Sequence, residues 1–334
     1  GNVGFECGGV NPIRGQNNVQ GACDMGALPN LFPGYHKVDD PAAQAKFKAA
    51  WGVEKLSDKP GLMMPSMFEG ILQGKIKGFY CFGENLANTE PDIHHIEHCL
   101  QSAEFLVVQD NFPNETTRFA HVILPAAAWG EKDGTYTNSE RRVNRLRKVS
   151  QAPGVSKDDW EIFREIALRM GHEWPSKSAG EIWDNEISVL APQMTGIKYA
   201  RIEGDGLQWP VPSEDHCGTP TLHRDGCFTC GLGKFIAVDW TPPAEVPDAE
   251  YPFVLCTGRR LYHYHTRTQT GRAAGLNDLL GEETADMSPQ DGEAAGIENG
   301  EMIRVRSRRG EVTVKAKLTD RVPPGMVWMS FHFR

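Results

Sequence analysis

The sequence predicts an α/β protein with a mostly parallel sheet and a mainly β-stranded C-terminal part. Three short apolar runs occur in the first half of the chain, at 76–85, 104–112 and 120–130. A helix-like segment separates the first two runs, and this alternation is typical of a βαβ unit with a buried parallel sheet. Beyond an irregular stretch rich in Pro and Gly, at 203–250, apolar runs alternate with glycine turns, which predicts a β barrel.

The elements of the first half follow from apolar periodicity. Residues 1–40 are rich in Gly, Pro and Asn, which predicts ordered loops with one helical turn near 21–28. Apolar residues at helical spacing predict helices at 42–52, 66–75 and 92–103. The three apolar runs are too short for helices, so they are predicted to be the strands of the sheet.

Two further helices are predicted after the sheet. Residues 156–171 have the clearest amphipathic pattern, with Ser156 as the N-cap and Gly171 as the end of the helix. Residues 178–190 have a similar pattern. We therefore expect three parts, namely an α/β domain at 1–125, a helical and irregular segment at 126–246 and a β barrel at 247–334.

The C-terminal part contains four strand-like segments and one helix. The strands are predicted within 251–258, 302–310, 311–319 and 325–331. The helix is predicted at 288–297, where Ser288 can cap the N-terminus. Pro289 suits the first helical position because a backbone N–H is not needed there.

Composition and charge exclude several classes of protein. The chain has 334 residues and a formal net charge of −9, which argues against a nucleic-acid partner and against a membrane-surface binder. No apolar run reaches the roughly 18 residues of a membrane-spanning helix, so no transmembrane segment is expected. The eight cysteines form no dense framework, which favours a reducing compartment such as the cytoplasm.

One cysteine pair has the spacing of a metal or redox motif. Cys227 and Cys230 form a C-x-x-C sequence, but no second pair accompanies them. His216, Cys217 and His223 do not complete a zinc pattern. Free thiols in a loop are the simpler interpretation, and a metal or redox role is the alternative.

Residues 11–21, NPIRGQNNVQG, place one guanidinium among several side-chain amides. These side chains need hydrogen-bond partners and cannot form a core, so the stretch indicates binding of a polar ligand. Arg14 is its only cationic residue. An arginine donates a planar fork that fits a carboxylate, whereas the alternative is a structural loop arginine.

Polar residues follow two neighbouring strands of the predicted sheet. The first strand is followed by Gly83, Glu84 and Asn85, and the second ends near Asp110. Ligands of open α/β sheets bind beyond the carboxyl ends of the strands. The carboxylate of Asp110 can accept two hydrogen bonds from the edge of a guanine. The alternative is that these residues serve as turn and cap residues.

Two other stretches combine cationic and hydroxyl side chains. Residues 130–142 contain Lys132, several hydroxyls and two adjacent arginines, which suit phosphates and sugars, or else form a solvated loop. Residues 257–272 contain four arginines, two histidines, two tyrosines and four threonines, which predicts binding of a large polar ligand. No GxGxxG, Walker, GxSxG or HExxH motif occurs.

Taken together, these segments resemble the molybdopterin oxidoreductase family, and within it the catalytic subunits of molybdenum- or tungsten-dependent formate dehydrogenases. The matching segments follow the order of the family over nearly the whole chain. They are GGVNPIRGQNNVQGACDMGALPNLFPGY (8–35), FGENLANTEPD (82–92), VVQDNFPNETTRFAHVILPAAAWGEKDGTYTNSERRV (107–143), TGRRLYHYHTRTQTGR (257–272) and ENGEMIRVRSRRGEVTVKAKLTDRVPPGMV (298–327).

The resemblance implies an activity and a set of cofactors. The reaction would be the reversible two-electron oxidation of formate to CO2 at a bis(molybdopterin guanine dinucleotide) cofactor, bis-MGD, that carries Mo or W. The 4Fe-4S cluster and the cysteine or selenocysteine ligand of the metal would precede residue 1, so no metal ligand is expected here. The chain would then be a central-to-C-terminal portion, inactive alone, with residues 1–125 binding the dinucleotide and 247–334 forming a double-psi barrel.

The resemblance also assigns roles to individual residues. Arg14 would pair with the formate carboxylate, and Gln16 and Asn17 would bind the pterin end of the cofactor. The other cofactor-binding residues would be Gly83, Glu84, Asn85, Asp110, Thr116, Thr117, Lys132, Asn138, Arg259, His263 and Tyr264.

The implied partners are formate and CO2, the rest of the same catalytic subunit and an iron–sulfur or other electron-transfer subunit. The segment 126–246 would pack on the missing N-terminal domain. The location would be cytoplasmic, or periplasmic if a twin-arginine signal precedes residue 1. Two alternatives stay open, namely a nitrate or arsenate reductase type of family member, and a non-catalytic subunit that retains the cofactor fold, as in respiratory complex I.

Overall fold

The computed structural model describes residues 3–6, 8–10 and 13–333. Its α-helices are α1 (Val19–Asp24), α2 (Pro41–Trp51), α3 (Met64–Leu72), α4 (Leu86–Thr89), α5 (Ile93–Gln101), α6 (Asp159–Arg169), α7 (Ala179–Ile182), α8 (Ser188–Leu190), α9 (Ala274–Leu279) and α10 (Pro289–Ala295). Its strands are β1 (Leu31–Phe32), β2 (His36–Lys37), β3 (Gly78–Phe82), β4 (Phe105–Asp110), β5 (Val122–Pro125), β6 (Gly134–Thr137), β7 (Arg142–Leu146), β8 (Leu207–Gln208), β9 (Val254–Gly258), β10 (Thr284–Met287), β11 (Met302–Arg306), β12 (Glu311–Leu318) and β13 (Met326–Ser330).

A parallel sheet of β3, β4 and β5, in that order, occupies the first half of the chain. Leu106 and Val108 on one face of the central strand and Gln109 on the other are fully buried, as a strand covered on both faces requires. Helices precede β3 and β4, and α3 buries Phe68 and Ile71. The predicted strand–helix–strand alternation is therefore confirmed.

A second, antiparallel sheet of β6, β7 and β8 was not expected from the sequence. The stretch 130–142 was interpreted as a loop because its residues are mostly polar. In the structure it runs into a hairpin, and the turn between β6 and β7 contains Arg141 at φ 67°. Asn138 closes this turn, because its Oδ1 accepts from the backbone N–H groups of Glu140 (3.1 Å) and Arg142 (3.0 Å).

The second sheet packs on the helical region that follows it. Its Val143 is fully buried in a core cluster. The other buried members of this cluster are Trp183, Ala191, Met194, Ile197, Ile202 and Val211. One buried position on a polar strand is therefore enough to join the hairpin to the core.

The helices after the sheet differ from the predicted ones in detail. Helix α6 begins at Asp159 instead of near Ser156, and its N-cap Asp158 makes no side-chain cap hydrogen bond. The predicted helix at 178–190 is interrupted by a π-helical turn, Trp183–Ile187. This turn buries the indole of Trp183, whose Nε1 donates to Ile197 O at 2.7 Å.

The C-terminal part forms a mixed five-stranded sheet in the order β11-β12-β10-β13-β9. Strand β10 was missed in the sequence, whereas the other four strands and helix α10 were predicted. As expected, Ser288 caps α10, with its Oγ accepting from Asp291 N at 3.0 Å. The α/β class is confirmed, and β9 and β11 do not pair to close a barrel among the described residues.

The chain divides into two compact units. Unit 1 comprises residues 1–83, 99–111 and 119–235, and unit 2 comprises 84–98, 112–118 and 236–334. The parallel and antiparallel sheets belong to unit 1, and the mixed sheet belongs to unit 2. The three-part division at 125 and 246 stays a prediction.

No helix in the described part of the chain is long and apolar enough to cross a membrane.

Candidate functional site

Arg14 lies in the loop that leads into α1 of unit 1 and is partly buried. Its Nη1 donates to Cys23 Sγ at 3.4 Å, and its Nε is buried without a hydrogen-bond partner. Within the described residues the guanidinium makes no ion pair with a carboxylate. Arg14 therefore keeps N–H donors that an anionic ligand could use. Asn11 and Pro12 of the same stretch lie outside the described residues.

A buried carboxylate anchors the helix that carries Cys23. Asp24 is fully buried and accepts from Gln20 Nε2 (2.8 Å), Tyr35 Oη (2.7 Å) and Trp209 Nε1 (2.9 Å). Burial raises the pKa of Asp24, while these hydrogen bonds and the charge of Arg14 oppose the rise. Burial and the adjacent carboxyl also raise the pKa of Tyr35. The base of the Arg14 loop is thus fixed by three donors on one carboxyl group.

The amide side chains next to Arg14 differ in their surroundings. Gln16 and Asn17 are exposed, and neither makes a hydrogen bond to the described residues. Asn18 is partly buried, and its Oδ1 accepts from Thr137 N at 2.9 Å. Asn18 therefore fastens the loop to β6, which leaves Gln16 and Asn17 available for a ligand.

The carboxyl ends of β3 and β4 bring Gly83 and Asp110 to the same edge of the parallel sheet. Gly83 has φ 64°, a left-handed conformation that favours glycine, and its N–H donates to Gln109 O at 2.9 Å. Asp110 accepts from Asn111 N at 2.7 Å. This edge is where ligands of open α/β sheets bind.

Lys132 is held by an ion pair in unit 1. Its Nζ contacts Asp159 Oδ2, and both side chains are about four-fifths buried. The other oxygen of Asp159 accepts from Gln109 Nε2 at 2.7 Å. Lys132 thus has an internal partner in this structure, as does Asn138, whose amide closes the β6–β7 turn.

In unit 2, the side chains of Asn85 and Thr116 form a hydrogen bond with each other. The amide of Asn85 donates to Glu115 Oε2 and Thr268 Oγ1, both at 2.7 Å. Its Oδ1 accepts from Thr116 Oγ1 at 3.0 Å, and Thr116 Oγ1 accepts from Ala87 N at 3.1 Å. Both side chains are buried. They therefore connect the turn after β3 to neighbouring loops and have little capacity left for a ligand.

The remaining residues predicted in unit 2 have varied environments. Glu84 is exposed and accepts from Thr89 Oγ1 at 3.1 Å, and Thr117 Oγ1 donates to Asn114 O at 2.7 Å. Arg259 and Tyr264 are exposed. The predicted site residues of this unit thus include both exposed and internally bonded side chains.

His263 is buried and bonded at both ring nitrogens. Its Nε2 donates to Leu280 O at 2.7 Å, and its Nδ1 lies 3.1 Å from Thr270 Oγ1. This histidine organises the loop after β9.

A polar cavity of about 240 Å³ lies within unit 2. Its lining residues are Asn88, Glu115, Thr266, Arg267, Thr268, Gly271, Arg272 and His332. Arg267 Nη2 donates to Asn277 Oδ1 at 2.6 Å, while its Nε is buried without a partner. Arg272 Nε donates to Thr268 O at 3.2 Å. The cavity combines two guanidinium groups with hydroxyl, amide and carboxylate groups.

The family profile described as "Molybdopterin oxidoreductase" matches residues 1–169, which is half of the chain. The chain belongs to the molybdopterin oxidoreductase family. A second profile, described as "Molydopterin dinucleotide binding domain", matches residues 253–334 of this molybdopterin oxidoreductase chain. The predicted family resemblance is confirmed.

Individual relatives agree with this assignment. The chain is 47% identical to the F420-dependent formate dehydrogenase subunit alpha of Methanocaldococcus jannaschii, over all of this chain and 49% of the relative. It is 38% identical to formate dehydrogenase H of Escherichia coli, over all of this chain and 47% of the relative. The chain thus spans about half the length of the curated relatives it matches.

A solved structure supports the fold. Acetylene hydratase from Pelobacter acetylenicus superposes with a TM-score of 0.63 at 19% identity, covering 86% of this chain and 42% of that chain. At this identity the likeness shows the fold alone.

The residues of this molybdopterin oxidoreductase chain fit a phosphate-bearing dinucleotide. The cavity presents two arginines with donors for phosphate oxygens, and one of them has an orphaned buried N–H. Among the residues that the structure describes, no group of three His, Cys, Asp or Glu side chains could hold a metal ion.

Sequence reasoning missed most of the cavity. Thr266, Arg267, Thr268 and Arg272 lie in the stretch 257–272 that was predicted to bind a ligand, but other members of the stretch were chosen as candidate residues. Asn88 gave no signal, because it lies in a short helix of ordinary composition. Only the folded chain shows which of the four arginines of the stretch reach the cavity.

Proposed function

We propose that the full-length protein is the catalytic subunit of a molybdenum- or tungsten-dependent formate dehydrogenase, which oxidises formate reversibly to CO2 in a two-electron reaction. The observation that carries the proposal is the partly buried Arg14, which keeps free N–H donors and has no carboxylate partner among the described residues. The names of the relatives at 38–47% identity support the same substrate.

Arg14 would bind and orient formate. A guanidinium stays protonated at all working pH values and donates two parallel N–H groups, which match the two oxygens of a carboxylate. The Cys23 contact at Nη1 and the anchored Asp24 hold the loop, so the fork is positioned before the substrate arrives. Formate has no other polar group, and one fork therefore sets the direction of its C–H bond.

The cofactor, when bound, supplies the acceptor for the two electrons, and the chain supplies orientation and electrostatics. We propose that Gln16 and Asn17 contact its pterin end, since both side chains are exposed beside Arg14. Gly83 and Asp110 of unit 1 would hold a guanosine end beyond the parallel sheet, and Lys132 and Asn138 of the same unit would also contact the cofactor. Glu84 and Thr117 of unit 2 are further proposed cofactor-binding residues. Asn85, Thr116 and His263 would shape the surrounding loops, and Arg259 and Tyr264 would contact the pterins.

The cavity of unit 2 would add Arg267 and Arg272 as phosphate ligands of bis-MGD. The proposal also includes the three-part domain organisation, with the 247–334 sheet closing into a double-psi barrel. The remaining half of the subunit would contribute the 4Fe-4S cluster and the metal ligand and would cover the 126–246 segment. An iron–sulfur or other electron-transfer subunit would accept the electrons. The location proposed is the cytoplasm, or the periplasm if a twin-arginine signal is present.

Replacing Arg14 by Ala in the full-length enzyme tests the proposal. We expect kcat/KM for formate to fall by about 10²-fold or more, because the substrate loses its orienting donors. Metal and pterin content, measured by elemental analysis and cofactor fluorescence, should stay near the parent level. Arg169→Ala is the matched control, since Arg169 is exposed on α6, and its activity should be unchanged.

Two results would contradict the proposal. If Arg14→Ala lost its cofactor in proportion to its activity, Arg14 would be a structural residue. If the parent enzyme, isolated with cofactor, reduced nitrate or arsenate and did not oxidise formate, the substrate would be an oxyanion instead of a carboxylate.

A further inference from the structure

The C-x-x-C sequence of Cys227 and Cys230 has no part in the proposed function, and it lies in an ordered turn. Phe228 N donates to Gly231 O and Gly231 N donates to Phe228 O, both at 2.8 Å. This reciprocal pair is the closing pair of a two-residue hairpin loop, formed here by Thr229 and Cys230. Gly231 has φ 88°, a conformation that favours glycine.

The turn places both thiols at the same end of this hairpin. Residues 227 and 232 come next to the closing pair along the chain, on its two sides. The thiol of Cys230 donates to Leu232 O at 3.9 Å, which directs it back from the turn toward that same position. Cys227 directly precedes Phe228 and Cys230 directly precedes Gly231, so each cysteine adjoins one member of the closing pair.

Neighbouring residues fix the backbone of Cys227. Asp225 Oδ1 accepts from Cys227 N at 3.2 Å, and His223 Nδ1 donates to Cys227 O at 2.9 Å. The ring of His223 also packs on Phe228, with centroids 5.0 Å apart. The first cysteine is therefore held in place beside a two-residue turn that carries the second.

Both thiols are free and exposed, which suits chemistry with small molecules. A metal site would need further ligands, and no group of three ligating side chains exists among the described residues. Cys23, Cys81 and Cys99 are buried, and Cys217 is exposed without a cysteine neighbour in the sequence. Among the cysteines that the structure describes, this pair alone has two exposed thiols three residues apart.

We propose that Cys227 and Cys230 form a reversible intramolecular disulfide by exchange with small disulfides such as glutathione disulfide. The thiolate of one cysteine attacks the small disulfide, which forms a mixed disulfide and releases one thiol. The second cysteine then attacks the mixed disulfide, which closes the Cys227–Cys230 bond and releases the other thiol. The two cysteines are oxidised, the small disulfide is reduced to two thiols, and the two cysteine protons leave with them.

The experiment equilibrates the full-length protein with reduced and oxidised glutathione, quenches with acid and maps the alkylated peptides by mass spectrometry. An intramolecular disulfide depends on the ratio of oxidised glutathione to the square of reduced glutathione, whereas a mixed disulfide depends on their simple ratio. Diluting both forms tenfold at constant ratio should therefore raise the disulfide-to-dithiol ratio of the 227–230 peptide about tenfold.

Single substitutions provide the controls. Cys227→Ser and Cys230→Ser should each carry a glutathione adduct on the remaining cysteine, and the amount of adduct should not change on dilution. Cys217→Ser should behave as the parent does. The proposal is overturned if the parent peptide carries glutathione adducts, or if it stays reduced under conditions in which Cys217 is modified.

Discussion

Arg259 and Arg260 are adjacent in the sequence but have opposite surroundings in unit 2. The side chain of Arg260 is 14% exposed and forms ion pairs with Asp286 Oδ1 (2.9 Å) and Glu283 Oε1 (3.4 Å). It also stacks on the Trp328 ring at 4.6 Å. Arg259 is exposed and contacts the Phe331 ring at 4.9 Å. One arginine therefore stabilises the sheet, and the other is available to a ligand.

This difference predicts different stabilities for two adjacent substitutions. Arg260→Ala should lower the free energy of unfolding by about 3–5 kcal/mol, because two buried carboxylates lose their cation. Arg259→Ala should cost less than about 1 kcal/mol, the range of an exposed cation–π contact. Denaturant titrations of the parent and both variants measure the two values.

The substitution at 259 serves as the control for the one at 260. If both variants lost the same small amount of unfolding free energy, the ion pairs of Arg260 would contribute little to stability. If only Arg259→Ala lost a large amount of unfolding free energy, Arg259 and not Arg260 would be the residue that stabilises the sheet.

The buried Asp24 predicts a pH dependence of stability. Its pKa is raised by burial above the ordinary value of 3.8, so the folded state binds the proton more tightly than the unfolded state does. The contribution of protonated Asp24 to the free energy of unfolding is fully present below pH 3.8 and is lost as pH rises through the pKa of the folded state. Asp24→Asn has no proton to lose and should not show this decline.

The measurement is the difference in melting temperature between the parent and Asp24→Asn across the acid range. Asp24→Asn loses one acceptor oxygen, which shifts its melting temperature by an amount that does not depend on pH. In addition to this shift, the melting temperature of the parent should fall relative to that of the variant as pH rises above 3.8. A difference that is flat, or that changes in the opposite direction, would show that Asp24 has no raised pKa.

At the scale of elements, two serines that precede helices differ in what they contribute. Ser288 Oγ accepts from Asp291 N at 3.0 Å and donates to Asp291 Oδ2 at 2.8 Å at the start of α10. Ser156 was the predicted cap of α6, but that helix begins three residues later, after Asp158. A local sequence pattern therefore identified one cap correctly and misplaced the other.

Replacing each serine by Ala tests this distinction. Ser288→Ala should cost about 1 kcal/mol of unfolding free energy, because an orphan backbone N–H loses its acceptor. Ser156→Ala should change the unfolding free energy by less than about 0.5 kcal/mol, because Ser156 does not cap the helix. Comparable losses in the two variants, measured by chemical denaturation, would contradict the observed start of α6.

The accuracy of the sequence predictions varied with the range of the interactions involved. Strands β3 and β4 and helix α10 were predicted because apolar runs and caps are local signals. The β6–β7 hairpin was missed because its strands are mostly polar and Val143 is their only buried apolar residue. Its formation depends on contacts with residues far along the chain, which periodicity cannot show.

The candidate site was predictable to a similar extent. The stretches containing Arg14 and residues 257–272 were selected as candidate binding stretches from their density of planar polar groups. The sequence could not show that His263 is bonded at both ring nitrogens, or that Arg267 and Arg272 line the cavity. Side-chain direction within such a stretch is set by the folded loop, so residue-level roles required the structure.

At the scale of the whole molecule, the two units are interleaved along the chain. Unit 2 is completed by 84–98 and 112–118, which precede its main part by more than 100 residues. Within unit 2, Asn85 Nδ2 donates to Thr268 Oγ1 at 2.7 Å and Arg272 Nη2 donates to Pro113 O. The two early segments therefore supply hydrogen bonds that the late segment needs.

This interleaving predicts that a fragment of residues 247–334 folds poorly by itself. It lacks the partners that 84–98 and 112–118 provide, so we expect no cooperative thermal transition by circular dichroism, whereas the 334-residue chain should show one. A sharp transition of the fragment close to that of the whole chain would show that the C-terminal sheet is self-sufficient.

The same interleaving has a consequence during synthesis on the ribosome. Residues 84–98 emerge about 140 residues before 236–334 begin to appear, which at about 5–20 residues per second is a delay of roughly 7–28 s. Throughout that interval the amide of Asn85, which is buried in the finished protein, has no Thr268 to bond. The nascent chain therefore carries an incomplete unit for many seconds, and a chaperone that binds exposed loops would act on it during this time.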